Sequence, residues 1–399
     1  MSHRYKFNRM ELAGALGDLG TLLPLAIGMI MVNGLDPLGM FLSIGLFYIV
    51  SGVYYGVTVP VQPMKVIGAY AVATGMSASS IMASGALLAL ALLVIGGTHA
   101  ITFIGRYTPK AVVRGVQLST GTLLMTEGVR FMIGASKFQL FRQAAEPYLA
   151  VQSVGPVPIG ILVGVAGGIL TLLLIENKRF PAGLLVVLGG LGLGLVFGNH
   201  EGLGQLGLHV HIPRILPFGF PAEADFAFAL FALVLPQLPM TLGNAVIANA
   251  DLSREYFGEA SKRVTCRALC ISMALANFMS FLLGGMPLCH GAGGLAAHYR
   301  FGARTAGSNL MIGAIFAALA IFLGAQALTV LYLIPMAVLG VLLLFAGAEL
   351  ALTVIDLQLR KDFFVVSVML GITLASNLAV GFIVGIAVAY ALRWDKLKV

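Results

Sequence analysis

Apolar stretches follow one another along the whole of this sequence, most of them long enough to span a bilayer as a helix and few of them interrupted by a charge. A helix needs about 20 apolar residues to cross the hydrocarbon, so such a chain folds as a bundle of membrane helices. Composition bears this out: 59% of residues are hydrophobic and 10% charged, where a soluble domain carries about 25% charged residues. The 50 glycines and 16 prolines suit helices that approach closely and breaks that neighbours repair.

The runs lie at about 11–31, 38–58, 63–77, 80–97, 107–128, 156–175 and 182–198, then at about 226–248, 264–283, 288–301, 306–327, 330–347, 362–376 and 377–392. The third and tenth are too short for a full span and follow proline-containing breaks, Pro60–Lys65 and Gly284–Gly291. Interrupted segments at matching places in two halves point to a transporter's binding site. Residues repeat as well. At an offset of about 226, Ala15-Leu16-Gly17-Asp18-Leu19 falls on Thr241-Leu242-Gly243-Asn244-Ala245, and Thr108-Pro109-Lys110-Ala111 on Ile334-Pro335-Met336-Ala337, while Pro60 falls within one residue of Pro287. Because each half has an odd number of runs, the expectation is an all-α polytopic protein of 14 transmembrane segments in a 7+7 inverted repeat, with half-helices at segments 3 and 10.

With the N-terminus cytoplasmic, 19 of the 24 lysines and arginines fall on the inner side, which predicts both termini inside. Arg130, Lys137, Arg142 and Arg214 then lie outside and Lys65 within the membrane. The same distribution accounts for the net charge of +8 and removes the nucleic-acid reading. Met1–Arg9 is polar and basic, so no signal peptide is expected. The three cysteines, Cys266, Cys270 and Cys289, form no disulfide or zinc framework. The connection 199–225, with His200, His209 and His211, is expected outside as a solvated loop rather than a metal site.

The sharpest candidates sit at the two breaks. In Pro60-Val61-Gln62-Pro63-Met64-Lys65 the half-helix is expected to begin near Pro63, since proline suits a helical start. Cys289-His290-Gly291-Ala292-Gly293 opens the tenth segment, with small residues that allow close backbone approach. Inversion points the two helix N-termini at each other, each with about half a positive charge and free N–H donors. Together they suit an oxyanion. Lys65 adds a charge inside the membrane, where ionisable groups mark function or pair with one another. Asp18 is its partner, an acceptor for a half-helix amide, or a proton-coupling carboxylate. Gln237 and Asn244, seven apart on one face of the eighth span, and Gln62 offer neutral amide donors or interhelical hydrogen bonds. His290 donates to substrate, titrates, or holds the break. Glu127, Arg130 and Glu349 read as interfacial or packing charges, and Arg300 and Arg304 as positive-inside charges. Cys289 with His290 suggests metal or nucleophile chemistry only weakly, because no third ligand follows at a recognisable spacing. A Gly-rich Lys-Ser/Thr nucleotide motif is absent.

These segments resemble a known family. Pro60–Lys65, Leu235-Pro236-Gln237-Leu238-Pro239-Met240-Thr241-Leu242-Gly243-Asn244, Gly285–Leu295 and Phe301-Gly302-Ala303-Arg304 look like the signature segments of the molybdate transporter family related to the sulfate permeases. The resemblance implies a uracil permease/sulfate permease-like fold. Its core domain would comprise residues 1–100 and 226–328 and its gate domain 101–200 and 329–399, with an extracytoplasmic linker at 201–225. It implies secondary, elevator-like molybdate transport across the cell inner membrane, with no enzyme activity and neither cofactor nor metal. The substrate set is Asp18, Gln62, Pro63, Met64, Lys65, Gln237, Asn244, Cys289, His290, Gly291, Ala292 and Gly293, of which Asp18 and His290 are the proton-coupling candidates. Partners are the oxyanion and the bilayer, with a homodimer left open. Sulfate or tungstate transport, a nucleobase permease and an intramembrane metalloenzyme are the alternatives. Import of a dianion against 100 mV, inside negative, is opposed by ~4.6 kcal/mol, so coupling or very low free cytoplasmic substrate is required.

Overall fold

A computed structural model describes residues 5–98, 109–177, 182–198, 200, 203–207 and 209–394. Among them the secondary structure is helical, apart from two antiparallel pairs of two-residue strands, β1 (Gln62–Pro63) with β4 (Leu288–Cys289) at the breaks and β2 (Ser153–Val154) with β3 (Val157–Pro158), and one isolated bridge. Of the positions counted for orientation, Arg4, Arg106, Lys178, Arg179, Lys396 and Lys398 lie outside the described residues, as does Thr108 of the repeat.

Among the described residues, six helices are long and apolar enough to cross a membrane. They are α3 (Pro37–Tyr55), α5 (Ala78–Gly97), α9 (Glu223–Ser261), α10 (Cys266–Leu283), α12 (Ala306–Leu331) and α13 (Met336–Asp356). A pair bent by 53°, α1 (Arg9–Leu16) and α2 (Leu19–Met31), passes the same test when taken together and brings the number to seven if counted as one span. Between and after these lie α4 (Lys65–Thr74), α6 (Lys110–Ile133), α7 (Ile159–Leu174), α8 (Ala182–Phe197), α11 (Ala292–Phe301), α14 (Arg360–Ala375) and α15 (Leu378–Ala391). The protein is a multi-pass membrane protein.

Helix lengths follow from local signals. Asp36 caps α3 through Gly39 N at 2.8 Å, with Pro37 as the first helical residue. Helix α4 stops after 10 residues at Gly75 (φ +68°), and α11 after 10 at Gly302 (φ +113°). Ten residues rise about 15 Å, half the hydrocarbon thickness. Each therefore covers only half that thickness, from a buried start to a C-terminal end that is exposed at Gly75 and half-buried at Gly302. The eighth run is longer than expected: α9 reaches Ser261 because π turns over Leu230–Val234 and Thr241–Ala248 absorb Pro236 and Pro239 without ending the helix.

Two groups of helices pack on themselves. In one, α3 lies along α12 and α5 along α10; in the other, α13, α14 and α15 pack around α6. Small residues set the distances. A Cβ on Gly121 of α6 would lie 2.5 Å from the Gly347 carbonyl of α13, and one on Gly128 would lie 2.6 Å from the Gly340 carbonyl. Two buried acids tie helix starts in place. Glu11 accepts from Arg304 N at 3.0 Å and Thr305 N at 3.1 Å before α12, and Glu146 accepts from Met336 N at 2.8 Å and Ala337 N at 2.7 Å at the start of α13. A carboxylate is favoured at a helix N-terminus.

Candidate functional site

The two breaks meet. Strand β1 (Gln62–Pro63) pairs antiparallel with β4 (Leu288–Cys289), with Gln62 opposite Cys289 and Pro63 opposite Leu288. Met64 N donates to Pro287 O at 2.9 Å. These strands displace the helix starts expected from sequence: α4 begins at Lys65 rather than near Pro63, and α11 at Ala292 rather than at Cys289, because the residues before them spend their backbone groups on each other. Neither half-helix carries a capping bond from its own N-cap residue, Met64 or Gly291. The first N–H groups of a helix have no partner within it, so at both starts they take acceptors from elsewhere.

Side chains close around this pair. Gln237 is buried, and its Oε1 accepts from Val66 N at 3.0 Å and Ile67 N at 3.3 Å, while its Nε2 donates to Thr241 Oγ1 at 2.9 Å. It therefore caps α4 from helix α9, a role its amide donors did not suggest. Gln62 Nε2 donates to Asp18 Oδ1 at 2.6 Å. Asp18 lies at the break between α1 and α2, and its Oδ2, like Gln62 Oε1, has no hydrogen-bond partner among the described residues. Two glycines of the tenth segment allow this approach: a Cβ on Gly291 would lie 1.9 Å from Gln62 Oε1, and one on Gly294 would lie 2.5 Å from Asp18 Oδ2.

His290 is fully buried behind the site. Its Nδ1 is 2.7 Å from Pro60 O, and its Nε2 is 3.1 Å from Ser272 Oγ, which in turn lies 2.8 Å from Tyr55 Oη. A carbonyl only accepts, so Nδ1 carries the proton and the ring clamps the first break to the second. Cys289 Sγ lies 3.7 Å from Pro63 O, and among the described residues no His, Cys, Asp and Glu are grouped to hold a metal.

In front of the breaks are two adjoining cavities of about 610 and 400 Å³. Both are lined by Thr21, Lys65, Gly293, Ala346 and Glu349; the larger adds Asn244, Lys110 and Arg114, and the smaller Asp18 and Arg300. Of the residues singled out from sequence, Asp18, Lys65, Asn244 and Gly293 line this space. Gln62, Pro63, Met64, Gln237, Cys289, His290, Gly291 and Ala292 do not line it and form the support behind it. The Lys65 ammonium lies within 4 Å of no carboxylate among the described residues.

Thr21 and Glu349 are additions to the sequence list. Glu349 lies in the last α-helical turn before Leu352, with a 3-10 turn running on to Asp356, and is an exposed residue of the cavity wall. The legible signal was a lone acid in an apolar helix. Arg300 also reaches Glu176 O at 2.9 Å, and Glu127 pairs with Arg130 at 3.2 Å.

Sequence and structure comparisons address the chain as a whole. A family model described as "Molybdate transporter of MFS superfamily" matches residues 10–124 and 229–350, which contain both breaks and Gln237. Molybdate transporter 1 of Arabidopsis thaliana is 30% identical, over 99% of this chain and 92% of its own length. Molybdate transporter 2 of the same plant is 31% identical, over 97% of this chain and 88% of its own. Molybdate transporter 1 of Chlamydomonas reinhardtii is 30% identical, over 97% and 94%. Among solved structures, the transmembrane domain of the cyanobacterial bicarbonate transporter BicA superposes with a TM-score of 0.65 at 15% identity, over 96% of this chain and 97% of that one. Murine Slc26a9, an anion transporter in the inward-facing state, gives 0.67 at 14%, over 99% and 70%. These two likenesses show the fold, that of SLC26 and sulfate permease-type anion transporters. The family match and the full-length relatives show more: this chain belongs to the molybdate transporter family and not to an enzyme family.

Proposed function

We propose that the protein is a secondary transporter that takes up molybdate, holding the tetrahedral dianion between the N-termini of α4 and α11 beside Lys65. The observation that carries this reading is the pair of helix starts without a cap of their own, brought together by β1 and β4, opening on a cavity that holds an intramembrane lysine. Helix N-termini favour anions through their free N–H groups and their dipoles. Lys65 supplies the charge those dipoles lack.

The 14-segment inverted repeat belongs to the same proposal. An offset of 226 relates Gly121 to Gly347, which meet at the contact of α6 with α13. Gln62–Cys289 and Pro63–Leu288 bracket that offset, so β1 and β4 would straddle the pseudo-two-fold axis. Residues 1–100 and 226–328 then form the core and 101–200 and 329–399 the gate, joined by 201–225 outside, with both termini cytoplasmic in a cell inner membrane. In this orientation the cavities run towards Lys110, Arg114 and Arg300 on the inner side. The core would slide past the gate to alternate access. Of the two proton-coupling candidates, Asp18 has an unpartnered oxygen beside the cavity and His290 serves as the clamp.

Uptake into proteoliposomes tests the reading. Saturable molybdate uptake, with tungstate and sulfate as competitors ranked by size and hydration, is expected, and an inward proton gradient should drive accumulation. Uptake that ignores an imposed pH gradient would remove proton coupling. Failure of all three anions to enter would remove the transport assignment.

A further inference from the structure

The acids of this protein that have structural work are visibly employed. Glu11 and Glu146 cap helices, and Asp356 pairs with Lys110 at 2.9 Å and with Arg114. Glu349 is different. It projects from the C-terminal part of α13, is exposed to both cavities, and makes no ion pair or hydrogen bond with any described residue. Across the same space stands Lys65, also without an ion-pair partner. The other ionisable side chains lining the cavities are Asp18 at the α1–α2 break, Lys110 and Arg114 of α6, and Arg300 of α11. Those from α6 and α11 are cations at the mouths, and Arg114 is already engaged by Asp356.

A carboxylate facing an anion site weakens anion binding, so this placement calls for a reason other than affinity. The elements supply one. Lys65 belongs to the proposed core and Glu349 to the proposed gate, so sliding of one past the other changes their separation. We propose that Glu349 is the release residue of the transport cycle: with the cavity open to the cytoplasm it faces the bound dianion and repels it, and it takes the oxyanion's place as counter-charge to Lys65 once the anion has left. With the site turned outward, Glu349 is withdrawn and the anion binds without this opposition. No bond is made or broken and no proton is carried. This inference rests on the proposed site at Lys65.

The test is equilibrium binding of molybdate at low ionic strength to purified full-length protein in nanodiscs, alongside net uptake in proteoliposomes. Two unit charges opposing one across a cavity of this size should alter affinity by about five- to tenfold. Glu349→Gln should bind molybdate tighter by that factor yet complete net uptake more slowly, and the affinity gain should shrink in high salt. Glu349→Asp, which keeps the charge, should restore both values towards wild type. If Lys65→Ala weakens binding while Glu349→Gln leaves it unchanged or weaker, the release role is overturned and the site stands. If Lys65→Ala also binds as wild type does, the site reading falls with it.

Discussion

At the scale of single residues the site is a set of contacts that tolerate little change. Gly294 is pressed against Asp18, Gln62 and Pro60, with all three within 2.8 Å of an added Cβ. Gly294→Ala should cost about 1–3 kcal/mol of stability by overpacking and should weaken molybdate binding; a variant with wild-type melting temperature and affinity would contradict the packing described. Gln237→Ala removes the acceptor for Val66 N and Ile67 N. Loss of a helix cap costs about 0.5–2 kcal/mol, so thermal unfolding should show a drop of that order together with weaker binding. An unchanged midpoint would show that another group caps α4. These residues also mark how far the sequence could be read. Lys65 and Asp18 were visible as charges in apolar runs, and both line the cavity. Gln237 was visible as a polar residue on the right face, but its partner was a backbone, and backbone partners leave no trace in the side-chain pattern. Glu349 is visible as an acid at the end of the apolar run 330–347, and its place on a cavity wall is not, because that depends on how distant helices pack.

At the scale of elements, helix contacts and caps determine how the bundle holds. The α6–α13 contact leaves no room for a methyl group at Gly121, whereas nothing lies within 4 Å of an added Cβ at Gly168 or Gly192. Gly121→Ala should lower stability by about 1–3 kcal/mol, while the other two alanine variants should stay within about 0.5 kcal/mol of wild type; equal behaviour in all three would contradict the close contact. Glu146, in the connection between α6 and α7, gives a pH signature. Burial, opposed by its bonds from Ala337 N and Met336 N, pushes its carboxyl from the ordinary 4.5 up to about 7. The folded protein thus holds this proton more tightly than the unfolded chain. The stability this contributes is complete below about 4.5 and is lost as pH rises through about 7. Between pH 5 and pH 8 the wild type should lose thermal stability relative to Glu146→Gln, which cannot titrate there. A constant difference between the two proteins would contradict this. The short helices α4 and α11 are legible as short runs after prolines, but their first residues are not. The strands β1 and β4 exist only because the two breaks pair with each other, which is a long-range event with no local signal.

At the scale of the whole molecule, the account joins a repeat in the sequence to a site on its axis. Hydropathy marks the apolar helices because each must cross or enter hydrocarbon, and the proposed repeat would relate them in pairs at an offset of 226. What it could not convey was the position of one helix group against the other, and so the shape of the cavities and the acid on their wall. The central claim is that the anion sits between the starts of α4 and α11. The most direct measurement is anomalous scattering from crystals grown with molybdate or tungstate, since both metals give a signal the protein lacks. The account predicts a single strong peak between the starts of α4 and α11, within hydrogen-bonding reach of the Lys65 ammonium, absent in Lys65→Ala. A peak confined to the cavity mouth at Lys110 and Arg114, or one that persists unchanged without Lys65, would contradict it.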